Sequence, residues 1–386
     1  MNEETRLIHA GRVQSPLVRT VGPPIQRGST VLLPNAAALY DDAHHLTYGR
    51  QGLAAQDGLI SALCALESAR TATLYPSGLA ALTGAMLAVL KAGDDVLVVD
   101  TIYKPTRRFC DAVLARYGVG VRYYPAEMDA AGLMALASPQ TRLIVMESPG
   151  SLSFEMQDVP AIAKAARARR ILTLIDNTWG AGLLFKPLDH GVDISVQALT
   201  KYVGGHSDVF MGSAAANDIQ VARALEDGVL HLGWAVSPDD AYQMLRGLRT
   251  LPARMARHGA SGLEVAAKLS ERAEVVEVFH PALPGARGHG IWARDYSGAC
   301  GLFAFSLRPS PDRAVEAFLD ALELFGLGFS WGGFESLAIH CGPQLRSRET
   351  QADYGGPLIR LHVGLEDPAD LLADLDRGFD AWRKAL

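Results

Sequence analysis

Between about Gln51 and Leu251 the apolar positions follow two alternating patterns. Short, continuous apolar runs are typical of strands buried on both faces, and alanine-rich segments of helical character separate them. The runs lie at residues 96–100, 119–125, 142–148, 171–176 and 193–199. Because strands that alternate with helices form parallel sheets covered by those helices, we predict an α/β fold with a mostly parallel sheet and helices on both faces.

The patterns change on either side of this region. Residues 1–50 show little helical periodicity and contain several turn formers, so we expect an extended N-terminal arm. After Leu251 an amphipathic segment at 253–269 predicts a long helix, and strand patterns become fewer. We place these strands at 301–307, at the SWGG segment from Ser330, and at 358–364. The predicted division is an arm over 1–50, a cofactor-binding domain over 51–251 and a smaller α/β domain over 252–386.

An acid and a lysine follow two of the predicted strands. Asp176 ends the run at 171–176, and Thr200 and Lys201 follow the run at 193–199. Because the carboxyl ends of parallel strands meet at the ligand-binding edge of a sheet, we expect these side chains to share a crevice. Either residue alone would be interpreted as a loop cap or a surface lysine. Together they suit pyridoxal phosphate, since the lysine can form an imine, the acid favours the protonated pyridine nitrogen, and the threonine hydroxyl can donate to the phosphate.

Composition and charge are those of a globular protein without a nucleic-acid or membrane partner. The chain has 386 residues, of which 49% are hydrophobic and 20% charged, and its net charge is −6. A negative balance disfavours binding to nucleic acid or to an anionic membrane. The longest apolar run, at 79–90, is shorter than the roughly 18 residues of a membrane-spanning helix, and no signal peptide is visible. We therefore expect a cytoplasmic location.

The cysteine and histidine spacing predicts neither disulfides nor a metal site. The four cysteines are far apart and form no CxxC pair, as expected for reduced thiols: Cys64, Cys110, Cys300 and Cys341. His44 beside His45, and His340 beside Cys341, lack the spacing of zinc ligands. We expect no metal.

Short motifs distributed along the chain resemble those of one enzyme family. They are YGRQG from Tyr48, YPSGLAA from Tyr75, DNTWGAG from Asp176, TKYVGGHSD from Thr200 and SWGGFESL from Ser330. In this order they resemble the cysteine and methionine metabolism family of fold-type I pyridoxal phosphate enzymes, and the resemblance extends from about Thr5 to about Phe379. It implies a transferase-like fold of that type, a small amino-acid thioether as substrate, and a homo-oligomer, usually a tetramer, whose active sites are shared within dimers.

A phosphate site is predicted where a helix begins. Ser77 precedes the apolar segment at 79–90, so it is a candidate N-cap, and the N–H groups that follow would form an anion site. Any capped core helix begins in this way, so the pattern alone is weak. The resemblance implies that the backbone of Gly78 and Leu79 holds the phosphate, with Thr200 as a further donor. Ala198 stands where many relatives carry a serine, so one phosphate contact is expected to be missing or replaced.

Three aromatic or basic residues are assigned by the resemblance. It implies that Tyr48 and Arg50 reach the phosphate in the neighbouring subunit, although by themselves they would be interpreted as a loop tyrosine and a solvated arginine. Tyr103, which follows the run at 96–100, is expected to stack on the pyridine ring. The predicted catalytic residues are Lys201, Tyr103 and Tyr48.

Substrate recognition is predicted to come from the C-terminal domain. Arg360 lies inside an apolar run, and a buried arginine needs an anionic partner, either an internal acid or the substrate α-carboxylate that the resemblance implies. Ser330 and Trp331 are expected beside the substrate, and the large indole favours cleavage at Cβ because members that act at Cγ carry a smaller residue there. Tyr242 also matches a residue near the substrate site. Gln51 stands where some members have a second arginine.

The resulting functional prediction is α,β-elimination of L-cystathionine to homocysteine, pyruvate and ammonia, a step of methionine synthesis. Lys201 would remove the Cα proton, and cystine or other cysteine conjugates would also be cleaved. The alternatives within the family are cystathionine γ-lyase, methionine γ-lyase and cystathionine γ-synthase. A non-catalytic protein of the same fold is disfavoured because Lys201 is present, and a nicotinamide dehydrogenase because no GxGxxG follows a predicted strand.

Overall fold

The computed structural model describes residues 1–12, 20–40 and 46–386. His44 and His45, which were considered as metal ligands, lie outside the described residues. The described chain contains two sheets, one formed by strands between residues 71 and 216 and the other by strands between residues 275 and 362. The α/β class predicted from the apolar pattern is therefore confirmed.

The larger sheet has seven strands. They are β1 (Thr71–Tyr75), β2 (Asp95–Val99), β3 (Gly120–Tyr124), β4 (Thr141–Glu147), β5 (Leu172–Asp176), β6 (Ile194–Ala198) and β7 (Gly212–Ala216). Their order is β1-β7-β6-β5-β4-β2-β3, and only β7 runs antiparallel to its neighbours. Every residue of β2 and β7 is buried, so both faces of the sheet are covered, because successive side chains of a strand point to opposite faces.

In the part of the chain that the structure describes, eight helices surround this sheet. They are α1 (Glu3–His9), α2 (Ala54–Glu67), α3 (Gly78–Val89), α4 (Lys104–Phe109), α5 (Ala130–Leu136), α6 (Val159–Ala168), α7 (Ile219–Leu232) and α8 (Pro238–Arg249). α4 continues without a break into a π-helical turn at Cys110–Leu114 and a 3-10 turn at Ala115–Tyr117. α1 lies in the arm that was expected to be extended, so that expectation was wrong over seven residues.

The smaller sheet has five strands in the order β10-β11-β12-β9-β8. They are β8 (Val275–Phe279), β9 (Leu302–Leu307), β10 (Gly326–Leu327), β11 (Leu337–His340) and β12 (Leu358–His362). Five further helices belong to this half: α9 (Leu251–Ser270), α10 (His289–Asp295), α11 (Asp312–Asp320), α12 (Gly342–Leu345) and α13 (Pro368–Lys384). α9 is the long helix predicted at 253–269.

The helix α9 joins the two hydrophobic cores. Leu251 and Met255 at its beginning pack in the core of the larger sheet, whereas Val265 and Leu269 near its end pack in the core of the smaller sheet. The two sheets segregate along the chain at this helix, and no linker separates them. We therefore keep the division at residues 251 and 252 as a proposal.

The predicted strand at SWGG was wrong. In the structure this segment forms bends between β10 and β11. Gly332 has a positive φ of 83°, a conformation that glycine adopts without the strain that a Cβ brings. A Cβ at Gly332 would lie 2.8 Å from the nitrogen of Tyr202 and 3.0 Å from Cα of Lys201. Gly332 thus allows this loop to approach the backbone at Lys201, which a residue with a side chain could not do.

Among the described residues, no helix is both long and apolar enough to cross a membrane.

Candidate active site

A cavity of about 550 Å³ lies at the carboxyl ends of β4, β5 and β6 and is bounded on its other side by residues of the smaller sheet. It brings together nine of the predicted site residues: Gly78, Leu79, Tyr103, Asp176, Thr200, Lys201, Ser330, Trp331 and Arg360. The first six come from the half of the chain that forms the larger sheet and the last three from the half that forms the smaller one, so the site lies between the two sheets.

Asp176 is the last residue of β5 and is held by Thr178. The backbone N–H and the hydroxyl of Thr178 both donate to Oδ1 of Asp176, at 3.0 and 2.5 Å. The same hydroxyl accepts a hydrogen bond from the N–H of Ala198 at 2.9 Å, which links the ends of β5 and β6. Burial raises the pKa of Asp176, while Thr178 and the charge of Lys201 oppose that rise. The carboxylate is therefore fixed in position and available to a cationic ring nitrogen.

Lys201 points into the same cavity. Its Nζ donates to the hydroxyl of Ser330 at 2.8 Å and lies 5.4 Å from the centre of the Trp331 ring. Burial and, to a smaller extent, the positive charge of Arg360 lower the pKa of Lys201 to about 8, while Asp176 acts in the opposite direction. A lysine with such a pKa exists partly as the free amine near neutral pH, which both imine formation and general-base catalysis require.

Arg360 lies in the middle of β12 and is only 7% exposed. Its Nη2 donates to the carbonyl oxygens of Phe329 and Ser330, at 3.1 and 3.2 Å. No carboxylate of the described chain forms an ion pair with Arg360, which argues against an internal acid as its partner. Burial lowers the pKa of its guanidinium. A buried cation that faces a cavity without an acidic partner is suited to bind an anionic ligand group.

The beginning of α3 has the N-cap expected of the predicted anion site. The hydroxyl of Ser77 accepts a hydrogen bond from the N–H of Ala80 at 3.1 Å, which confirms that Ser77 is the N-cap. Gly78 packs against Ala198, and a Cβ at Gly78 would lie only 2.3 Å from the Ala198 side chain. Gly78 and Leu79 both line the cavity, and the first N–H groups of a helix have no partner within it.

The hydroxyl of Thr200 has a second set of partners that the sequence did not predict. It accepts from the N–H of Met211 at 3.0 Å and donates to the carbonyl oxygen of the same residue at 3.2 Å. Its hydrogen must therefore turn away from Met211 before Thr200 can donate to a phosphate.

Glu147 is a site residue that sequence reasoning missed. It ends β4 beside Asp176 of β5, and its Oε2 accepts from the backbone N–H of Tyr103 at 2.7 Å. Burial raises the pKa of Glu147 well above its usual range, and the charge of Asp176 raises it further. The signal was present, because Glu147 ends an apolar run just as Asp176 does. Glu147 anchors the loop of Tyr103, whose ring lines the cavity and is 42% exposed.

Three predicted site residues lie elsewhere in the single chain. Tyr48 and Arg50 line a separate surface depression, where Nη1 of Arg50 donates to the carbonyl oxygen of Leu230 at 3.1 Å. Tyr242, on α8, packs near Gly22 of the arm. Since none of the three lines the cavity of Lys201 within the described chain, any role in it would require a second subunit.

The residues at the cavity fit pyridoxal phosphate: a lysine of lowered pKa, a buried carboxylate, a helix start suited to an anion and an exposed aromatic ring. The fold and this site define a fold-type I pyridoxal phosphate enzyme. The chain belongs to the family described as Cys/Met metabolism PLP-dependent enzymes, whose model matches residues 4–380. The cofactor predicted from Asp176 and Lys201 is thereby confirmed, and so is the resemblance carried by the motifs.

Individual relatives and a solved structure agree with this assignment. The chain is 44% identical to the cystathionine beta-lyase of Bordetella avium over 93% of this chain and 92% of that protein. It is 40% identical to the cystathionine beta-lyase MetC of Escherichia coli over 97% of this chain and 98% of that protein. The structure resembles that of the cystathionine gamma synthase of Xanthomonas oryzae pv. oryzae with a TM-score of 0.92, 30% identity and complete coverage of both chains.

Proposed function

We propose that the protein is a pyridoxal phosphate-dependent carbon–sulfur lyase that cleaves L-cystathionine by α,β-elimination. The products are homocysteine, pyruvate and ammonia, as in a step of methionine synthesis in the cytoplasm. The observation that carries the proposal is the position of Trp331, whose ring centre lies 5.4 Å from Nζ of Lys201. The names of the relatives from Bordetella avium and Escherichia coli support it.

The cofactor supplies an electron sink for the electrons that the Cα–H bond leaves behind. Lys201 would hold it covalently, and Asp176 would keep its ring nitrogen protonated. The N–H groups of Gly78 and Leu79 at the beginning of α3 would bind its phosphate, and Tyr103 would stack on its ring.

The remaining steps belong to side chains of the protein. Arg360 binds the substrate α-carboxylate in a charge-assisted hydrogen bond, which orients Cα towards Lys201. The Nζ of Lys201, held by the hydroxyl of Ser330, takes the proton from Cα. The same Nζ then donates that proton to the sulfur as the Cβ–S bond breaks.

The size of Trp331 decides between cleavage at Cβ and at Cγ. Its indole and the hydroxyl of Ser330 occupy the space beside Nζ of Lys201. Little room therefore remains for the substrate side chain to adopt the conformation that cleavage at Cγ requires. The competing function is that of a cystathionine γ-lyase, methionine γ-lyase or γ-synthase, which the high TM-score to a γ-synthase favours. The two β-lyase relatives are more similar in sequence, at 44% and 40% identity against 30%.

The product of L-cystathionine cleavage tests the proposal directly. The purified protein, loaded with cofactor, is incubated with L-cystathionine, and the keto acid is identified by chromatography. We expect pyruvate together with homocysteine. The appearance of 2-oxobutyrate with cysteine would instead establish a γ-lyase, and the absence of any keto acid would refute the proposed activity on this substrate.

We further propose that the active form is a homo-oligomer, a tetramer built from two dimers that share their sites, in which Tyr48 and Arg50 of one subunit complete the site of the other. The support is their placement. Both residues lie at a surface depression away from the cavity of Lys201, and Tyr48 is 47% exposed.

A further inference from the structure

Two basic side chains at the cavity have no role in the mechanism described above. Lys104 and Arg108 lie on α4, directly after Tyr103, and both line the cavity of Lys201. They are four residues apart, so they lie one above the other on the same face of the helix. Lys104 is half-buried and Arg108 is exposed.

Neither side chain is engaged in the part of the chain that the structure describes, where no hydrogen bond or ion pair to Lys104 or Arg108 occurs. In contrast, the adjacent Arg107 pairs with the buried carboxylate of Asp100 and stacks on the ring of Tyr123. Arg107 thus has a structural role on this helix, whereas Lys104 and Arg108 on the cavity side have no such role.

In the described chain, the acids that line the cavity form no ion pair with either side chain. Among the described lining residues the carboxylates are Glu147 and Asp176. Glu147 accepts from the N–H of Tyr103, and Asp176 accepts twice from Thr178. The lining contains two further cations, but Lys201 is assigned to the cofactor and Arg360 to the substrate α-carboxylate. Lys104 and Arg108 are therefore the cations of the described lining that remain for another anionic group.

We propose that Lys104 and Arg108 form a second anion subsite, which binds a carboxylate on the sulfur substituent of the substrate. The proposal deepens the β-lyase function and rests on it. Arg360 would bind the α-carboxylate, and Lys104 with Arg108 would bind the carboxylate of the departing thiol. The preferred substrates are then cysteine thioethers with an anionic leaving thiol. No free carboxylate of the described lining remains for an ammonium group on that thiol, so recognition depends on its negative charge.

A pair of substrates isolates this charge. S-carboxymethyl-L-cysteine carries the additional carboxylate, and S-carbamoylmethyl-L-cysteine replaces it with a neutral amide of nearly the same shape. Elimination breaks the Cβ–S bond, with transfer of the Cα proton through Lys201 to sulfur. With one water, the first substrate gives mercaptoacetate, pyruvate and ammonia, and the second gives mercaptoacetamide with the same two products. Pyruvate release therefore reports on both reactions.

The measured quantity is the ratio of kcat/KM for the acid to kcat/KM for the amide. The two thiols differ in acidity, but that difference is the same in every variant and cancels when ratios are compared between variants. We expect Arg108→Gln and Lys104→Gln each to lower the ratio about tenfold, since each removes one charge-assisted contact. Arg116→Gln is the matched control, because Arg116 is exposed just beyond the same helix and does not line the cavity. It should leave the ratio within about twofold.

Salt provides an independent check on the wild-type protein. Because Arg108 is exposed, the subsite is partly screened by ions. We expect the ratio to decrease as the ionic strength rises from about 0.05 to 0.5 M, with kcat/KM for the amide changing less than that for the acid.

A binding measurement separates failure of the subsite from failure of the proposed function. N-acetyl-S-carboxymethyl-L-cysteine has no free amine and cannot enter the reaction, so calorimetric titration of the cofactor-loaded protein reports its binding alone. We expect tighter binding than for the N-acetyl amide, and loss of that difference in Arg108→Gln. If pyruvate is released but the acid-to-amide ratio is unchanged in both variants, the proposed subsite is wrong and the proposed lyase activity is supported. If the N-acetyl acid binds more tightly than the N-acetyl amide but no thioether yields pyruvate, the proposed lyase activity is wrong and the subsite is supported.

Discussion

The chemistry of the cavity depends on the protonation of one side chain. Lys201 is partly desolvated by burial and lies near the positive Arg360 and the negative Asp176. Desolvation is the largest of these influences, and together they lower the pKa of Lys201 to about 8. The same burial that makes Lys201 a base also imposes a free-energy cost on the protein before the cofactor is bound.

That cost predicts a pH dependence of stability in the cofactor-free protein. The folded pKa, about 8, is lower than the value of 10.5 for a free lysine. Between these values the unfolded chain binds more protons, so the free energy of unfolding should rise with pH. Below about pH 8, Lys201→Met should stabilise the cofactor-free protein by at most roughly 3 kcal/mol, and by much less near pH 10.5. Urea denaturation at both pH values measures this, and an equal effect at the two values would contradict it.

A second prediction at this scale concerns Arg360. The variant Arg360→Met removes the buried guanidinium and leaves the substrate carboxylate without its partner, so we expect the apparent KM for L-cystathionine to rise about a hundredfold. The same substitution at the exposed Arg116 should change KM by less than about twofold. If KM for Arg360→Met is unchanged, the carboxylate is bound elsewhere.

At the level of elements, the loop between β10 and β11 determines how closely the two sheets approach at the site. It carries Ser330 and Trp331, and the backbone N–H of Gly332 donates to Nε2 of His362 at 3.0 Å. The positive φ of Gly332 and its contact with the backbone of Lys201 and Tyr202 leave no space for a side chain. The loop thus positions the indole that we propose to favour β-cleavage.

Gly332→Ala should therefore reduce both stability and activity. A Cβ would lie 2.8 Å from the nitrogen of Tyr202, and the loop must shift to relieve this contact. We expect a loss of roughly 1–3 kcal/mol in the free energy of unfolding and at least about a tenfold loss in kcat/KM. Gly285→Ala is the matched control, because Gly285 also has a positive φ, of 81°, but a Cβ there meets nothing within 4 Å. It should lose about 1 kcal/mol with normal kcat/KM. Equal kinetics for the two variants would argue against a role for the loop.

Strand prediction succeeded for continuous runs of large apolar residues in the larger sheet, and it missed five strands of the described chain: β1, β7, β8, β10 and β11. Continuous runs of Val, Ile and Leu located β2, β4, β5 and β6 to within two residues at either end. β7 was not predicted, because its sequence is GSAAA and carries no β-branched or large apolar residue. Its small residues are required by the fold, since Gly212 lies against the backbone of Ser77 and Gly78 at the beginning of α3.

At the scale of the whole molecule, the site of one subunit is proposed to be complete only in a dimer. Arg50 and Lys201 line different cavities of the same chain, so they can cooperate only across an interface between two copies. This geometry predicts complementation between two inactive variants.

Lys201→Ala and Arg50→Ala, co-expressed with different tags, should together recover activity. In a mixed dimer, the intact Lys201 of one subunit and the intact Arg50 of the other form one complete site, so random mixing gives about a quarter of the wild-type activity. Lys201→Ala mixed with Asp176→Asn is the control. Asp176 and Lys201 line the cavity of the same chain, and this mixture should remain inactive. Equal inactivity of both mixtures would place Arg50 outside the shared site.

The sequence by itself determined the fold class, the cofactor and the positions of Asp176 and Lys201. These follow from local patterns, because an apolar run marks a buried strand and its carboxyl end marks the ligand edge of a parallel sheet. The tertiary structure alone placed Glu147 beside Asp176, since that neighbourhood depends on the order and register of β4 and β5. It also decided that Lys104 and Arg108 face the cavity whereas Arg107 is buried against Asp100. Three basic residues within five positions look alike in sequence, and only the packing of α4 gives them different partners.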